Sequence, residues 1–170
     1  MNAKQQSTRA KKMTQKRTEL RAQLWPDLKV EDLWNRKEHD GFTTIPRTFP
    51  HIFQIMDELA GKGKPVSSVY LSLWCRVFDE SMLDVKSMEH MAFESGFSGQ
   101  RAVTTWKQRM KTLEELGFIS AREGASGEYS FILVYNPYKI ILRHRNRFQG
   151  GKFNALLARA QEVGATDLQE

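Results

Sequence analysis

A chain of 170 residues, 40% of them apolar, is long enough for one domain with a substantial core and short for two. Its single cysteine excludes disulfides and cysteine-rich metal sites, and no stretch approaches the roughly 18 apolar residues a membrane-spanning helix needs. The net charge of +6 is uneven: residues 1–24 carry seven basic side chains against Glu19 alone, and the other 146 residues balance. A basic start with no apolar run behind it shows no secretory signal, so a reducing, cytoplasmic setting is expected. Charge separated in this way points to a polyanionic partner.

Residues 1–24 read as a basic arm, flexible or helical, in which Lys4, Arg9, Lys11, Lys12, Lys16, Arg17 and Arg21 surround a thin apolar line of Met13, Leu20 and Leu24. Trp25-Pro26 marks its end, because the residue before proline is pushed out of the α region. Within the linker 25–41, "VEDLWNRK" predicts a short helix anchored by Leu33 and Trp34. "DGFTTIPRTFP" reads as a turn and a proline-bounded entry into "HIFQIMDELAG", where Ile52, Ile55, Met56 and Leu59 recur at helical spacing before Gly61 and Gly63 stop the helix. "KPVSSVYLSLWCRVF" predicts a central buried helix, since Val66, Val69, Tyr70, Leu73, Trp74, Val77 and Phe78 cover almost half its circumference. Ser67 is its expected cap, and Cys75 is expected to be a small buried hydrophobe.

"MAFESGFSGQRAVTTWKQRMKTLEELGFI", residues 91–119, joins a short helix to a longer basic one. A helix-turn-helix needs a small residue where the helices cross and a glycine where φ turns positive. Ala92 and Gly96 supply these, Phe97 is the expected buried turn residue, and Ser98 the expected cap of the second helix. Beyond it, "GFISAREGASGEYSFILVYNP" holds two β-prone runs around a glycine-bearing turn, which predicts a hairpin. After Asn136-Pro137 come a basic helix, "YKIILRHRNRF", a break at Gly150-Gly151 and an amphipathic closing helix, "KFNALLARAQEVG". The expected fold is mainly α with a small β-hairpin: a winged helix-turn-helix at 42–135, with helical extensions at 1–24 and 136–170.

With Val103, Trp106, Met110 and Leu113 turned inward, the other face of the second helix presents side chains suited to a DNA groove. Gln100, Arg101, Thr104, Thr105 and Gln108 are the expected base readers, because Arg grips guanine bidentately, Gln does so for adenine, and Thr meets a thymine methyl. Ser98, Lys107, Lys111 and Arg122 are the expected phosphate contacts. Arg9, Lys11, Lys12, Lys16, Arg17 and Arg21 of the arm, with Arg143, Arg145 and Arg147 of the later cluster, would add sequence-blind attraction.

"GFTTIPRTFP", "PVSSVYLSLWCRVFDE" and the 91–119 stretch resemble small winged-helix proteins of proteobacterial plasmids and integrating elements, labelled as related to replication or partition. The Phe-x-x-Ile-Pro entry is also similar to the amino-terminal winged helix of plasmid replication initiators. The resemblance implies DNA binding and fixes no target; the expected protein is bacterial, nucleoid or plasmid associated, and binds double-stranded DNA as a homodimer or with a mobile-element protein. Full initiators carry two winged helices and this pattern is single, so autonomous origin melting is not expected.

No enzyme, cofactor, metal or small-molecule substrate is expected. "GKGKP" lacks the spacing and the Ser or Thr of a phosphate loop, and His39, His51, His90 and His144 are scattered. Two rivals to DNA binding remain at this stage. One is a winged-helix adaptor that docks a replication, transfer or defence protein through acidic 76–95, which holds Asp79, Glu80, Asp84, Glu89 and Glu94; the other is a binder of structured RNA.

Overall fold

About half of the chain is helical, and a three-stranded antiparallel sheet completes it. A computed structural model of the chain describes residues 3–168, at 3–7, 9 and 10 by backbone alone; the side chains of Lys4 and Arg9 lie outside the described residues. The chain divides into two units, residues 1–42 and 43–170.

The first unit holds α1 (Ala3–Leu24) and one 3-10 turn at Val30–Asp32. Met13, Leu20 and Leu24 of α1 are each about half exposed, so the apolar line of the arm is not buried. The helix expected at "VEDLWNRK" shrinks to that single turn. Asn35 explains the difference: its Oδ1 accepts from the Lys37 amide at 3.1 Å and its Nδ2 donates to Glu38 at 2.8 Å, a local arrangement that competes with helix. Trp34 is not a core anchor but 63% exposed, with Phe42 edge-on at 5.8 Å and His39 at 6.1 Å.

The second unit opens with α2 (Phe49–Ala60), whose Phe49, Ile52, Ile55 and Met56 are buried as one stripe. α3 (Ser67–Trp74) follows after Gly61, where φ is 92°. Ser67 does not cap α3. Asp57 of α2 does so from across the interface: its Oδ1 accepts the Val66 and Ser67 amides at 2.7 and 2.9 Å, and its Oδ2 accepts the Ser67 hydroxyl at 2.7 Å. One carboxylate thus satisfies two orphan helix donors and locks α2 to α3.

α3 is shorter than its apolar run. It stops at Trp74, whose indole N–H donates to the Thr44 carbonyl at 2.9 Å, and the chain bends through Ser81 at φ 56° into β1 (Met82–Asp84). Of the run beyond Trp74 only Val77 still packs against the core: Cys75 is exposed rather than a core hydrophobe, and Phe78 is 81% exposed.

α4 (Met88–Glu94), capped by the Ser87 hydroxyl, leads to α5 (Ala102–Glu115), β2 (Ile119–Gly124) and β3 (Gly127–Val134). β3 is central, antiparallel to both neighbours, so the order is β1-β3-β2. The expected hairpin is present, and β1 adds a third strand. Gly124 sits at a bulge where a Cβ would lie 2.7 Å from the Phe131 ring, a closeness only glycine permits.

α6 (Pro137–Arg143), capped by Asn136, and α7 (Gly150–Val163) pack against α2. Gly150 and Gly151 form the first turn of α7 instead of breaking it. The bend lies just before them, fixed by the Gln149 amide donating to Glu58 at 2.9 Å and by a Lys152–Glu58 ion pair at 2.6 Å. Among the described residues no helix is long and apolar enough to cross a membrane.

Replacing Asp57 with alanine strands two amides and a hydroxyl, and should destabilise the fold by about 2 kcal/mol. In thermal unfolding, Asp57→Ala should lower Tm clearly more than Ser67→Ala, which deletes one of the three bonds.

Candidate nucleic-acid interface

The orientation of α5 follows from its apolar spacing. Trp106, Met110 and Leu113 are fully buried, Leu116 nearly so, and Val103 packs against the same core. The Trp106 indole meets Tyr129 of β3 edge-on at 5.6 Å and 82°, so the helix is seated on the inner face of the sheet. Burial, reinforced by Glu128, Glu114 and Glu115 nearby, pushes the Tyr129 phenol up to about 12.

The opposite face is open. Gln100, Arg101, Thr104, Gln108 and Lys111 are exposed, and Thr105, Lys107 and Thr112 are half-buried along its edges. From residue 101 to residue 111 the row is about 15 Å long at 1.5 Å per residue, comparable with a major groove about 12 Å wide.

The turn between α4 and α5 uses two glycines, Gly96 at φ 90° and Gly99 at φ 79°. Ala92 is fully buried where α4 meets its neighbours, and the buried Ser95 hydroxyl donates to the Met91 carbonyl at 2.7 Å and lies 3.2 Å from the Ser72 hydroxyl of α3. Phe97 is half-buried against the core. Ser98 is not the cap of α5: the residue before the helix is Arg101, and no side chain accepts from its first amides among the described residues. Gln100 and Arg101 lie in the turn that leads into the helix.

The expected phosphate contacts fare differently. Lys107 reaches across to Glu128 of β3 at 3.0 Å, while Lys111 lies 4.0 Å from Glu115 on its own helix. Arg122 is directly opposite Phe131 in the ladder and shares its outward side of the sheet, away from α5; its guanidinium donates to the Ala121 carbonyl at 2.7 Å. Arg122 therefore does not join the row on α5 in one surface, whereas Thr104, Thr105, Lys107, Gln108 and Lys111 share one helix and Arg101 immediately precedes it.

Within the later basic cluster, Arg143 and Arg147 are exposed. Arg145 instead lies over the Phe153 ring at 4.2 Å, a cation–π contact that helps hold α7. His144 Nε2 is 2.7 Å from the Leu116 carbonyl, and Arg147 is 3.1 Å from Nδ1. A ring with Nε2–H satisfies a carbonyl left over at the end of α5 and leaves Nδ1 to accept from Arg147. In the other unit, Lys11, Lys12, Lys16 and Arg17 of α1 are exposed and Arg21 is half-buried.

Two residues of this region escape sequence reasoning. Glu114 reads, with Glu115, as an acid pointing away from the row; its carboxylate accepts the Ala121 amide at 3.0 Å and ties α5 to β2. Arg109, three residues past Trp106, is half-buried, with its Nε enclosed and unpartnered among the described residues. Spacing from Trp106 is the available signal for Arg109, and none exists for Glu114.

Among the described residues no three His, Cys, Asp or Glu side chains gather as a metal site. Comparison with protein-family models, with curated proteins and with solved structures finds no match to this chain.

The two faces of α5 should respond unequally to alanine. Trp106→Ala should cost about 3–5 kcal/mol in denaturant unfolding, as large core truncations do, whereas Gln108→Ala should stay within about 0.5 kcal/mol. Similar losses at both positions would contradict the assigned orientation.

Proposed function

We propose that α3, β1, α4, α5, β2 and β3 form a winged helix-turn-helix unit and that α5 reads a DNA duplex. The order helix, strand, helix, helix, strand, strand, with the first strand beside the last, supports this reading of the topology. The observation that carries the functional reading is the sidedness of α5: Trp106 is at 0% exposure, Thr104 and Gln108 stand in solvent on the same helix, and Arg101 is exposed just before its first residue.

In this reading Arg101, Thr104, Thr105 and Gln108, with Gln100 at the leading turn, meet base edges, while Lys107 and Lys111 meet phosphates. The uncapped first turn of α5 adds amide donors and the positive end of the helix dipole, which favour a phosphate. The basic arm contributes affinity without sequence preference. The protein acts by occupancy, as a regulator or a replication or maintenance factor of a plasmid or mobile element; that biological setting rests on the resemblance of 41–50, 65–80 and 91–119 to such proteins.

Lys107 is partly neutralised by Glu128, so it must exchange a carboxylate for a phosphate on binding. Glu128→Gln should therefore strengthen DNA affinity by about 0.5–1 kcal/mol, the scale of an exposed ion pair. This is measurable by fluorescence anisotropy at fixed salt.

Arg101→Ala should cost about 1–3 kcal/mol on the preferred site selected from a random duplex library and little on random duplex. Equal losses on both would reject base reading by Arg101. Deleting residues 1–24 should instead weaken all duplexes alike and flatten the dependence of log K on log salt, by about 0.9 for each phosphate the arm neutralises.

A further inference from the structure

β3 is apolar on both sides. Ile132 and Val134 face the core, and Phe131 and Leu133, with Tyr135 just past the strand's end, are 41, 37 and 41% exposed. A strand with one face in water normally alternates apolar with polar residues, and apolar residues on both sides mark a strand covered on both sides. Met82, directly opposite Leu133 on β1 and 53% exposed, widens the apolar strip.

The charges at its margins are ordered. Asp84 of β1 and Arg122 of β2 both lie opposite Phe131, so one cross-strand row reads acid, aromatic, base from edge to edge. Within the chain, Asp84 pairs with Lys86, which is 82% exposed at its side chain, and that contact can rearrange in solvent.

We propose that the outward face of the sheet docks a second copy of this chain, with the twofold axis running along β3. Rotation about that axis keeps each row in place and exchanges its two edges. Asp84 then meets Arg122 of the other copy, and Arg122 meets its Asp84, while Phe131, Leu133 and Met82 close the middle. A twofold axis across the strands would set Asp84 against Asp84, a like-charge contact that disfavours that arrangement. Three strands about 4.8 Å apart make a narrow patch, below the roughly 800 Å² per partner of a standard interface, so the pairing is weak and depends on concentration. It holds whether or not α5 reads DNA.

Sedimentation velocity of the full chain over a wide concentration range tests it. The wild type should shift from monomer to dimer. Asp84→Arg and Arg122→Asp should each weaken the dimer at least tenfold, because each variant presents like charges to itself. Mixed in equal amounts, the two variants should dimerise again, since every edge contact becomes acid to base, and the double variant should recover as well. Leu133→Glu should abolish pairing in every combination, with its unfolding midpoint measured to confirm a folded chain. A wild type that stays monomeric throughout, as it would if residues 1–42 or another protein covered this face, overturns the proposal. So does a dimer untouched by both single variants, or a mixture of the two that remains monomeric.

Discussion

The contact between Trp106 and Tyr129 decides which way α5 looks. An indole is the largest side chain available, and once it is driven against the sheet edge-on, rotation of the helix by even a quarter turn would drag it into water. The seat is tight enough that the indole N–H has no partner among the described residues, a cost outweighed by the apolar area around it. Everything on the outer side of α5 is positioned by default: its side chains are solvent-facing because Trp106, Met110 and Leu113 are not.

Smaller attachments stop the helix from sliding along that seat. Glu114 accepts an amide from β2, the Leu116 carbonyl is taken up by His144, and Lys107 reaches β3. These bonds involve the second and last turns of α5, the end of α6, β2 and the turn end of β3, so the helix is held along its length. Its leading end has two positive-φ glycines before it and no side-chain cap. A row of polar side chains on a helix anchored in this way keeps one geometry, and so little ordering entropy is lost when something docks against it.

What can be read from the sequence is periodic. α2 and α5 are legible because Ile52, Ile55 and Met56, then Trp106, Met110 and Leu113 repeat often enough to declare a period, and the hairpin because the β-prone run "YSFILVY" follows a glycine-bearing turn. β1 is not, since Met82-Leu83-Asp84 is too short to show alternation and gains its partner from β3 some fifty residues later. The cap of α3 falls to the nearest serine on sequence grounds because the true acceptor, Asp57, belongs to another helix. Cys75 and Phe78 look buried because apolar composition continues past Trp74, yet the helix ends there and both side chains are exposed. For the candidate site, the exposed row of α5 is legible, whereas the ties that restrain Lys107 and turn Arg122 away depend on the sheet register.

The hydrogen bond between Thr48 and Tyr138 joins residues 90 positions apart in a fully enclosed spot, and Glu58 meets both Gln149 and Lys152 at the other end of α2. The two closing helices are thus a girdle around the entry helix, not a tail appended to a finished domain. Trimming the protein after its hairpin would strip that girdle, orphan the threonine hydroxyl and lay bare one apolar flank of α2. The smallest portion able to stand alone therefore runs from the proline-bounded entry to the final glycine-capped helix.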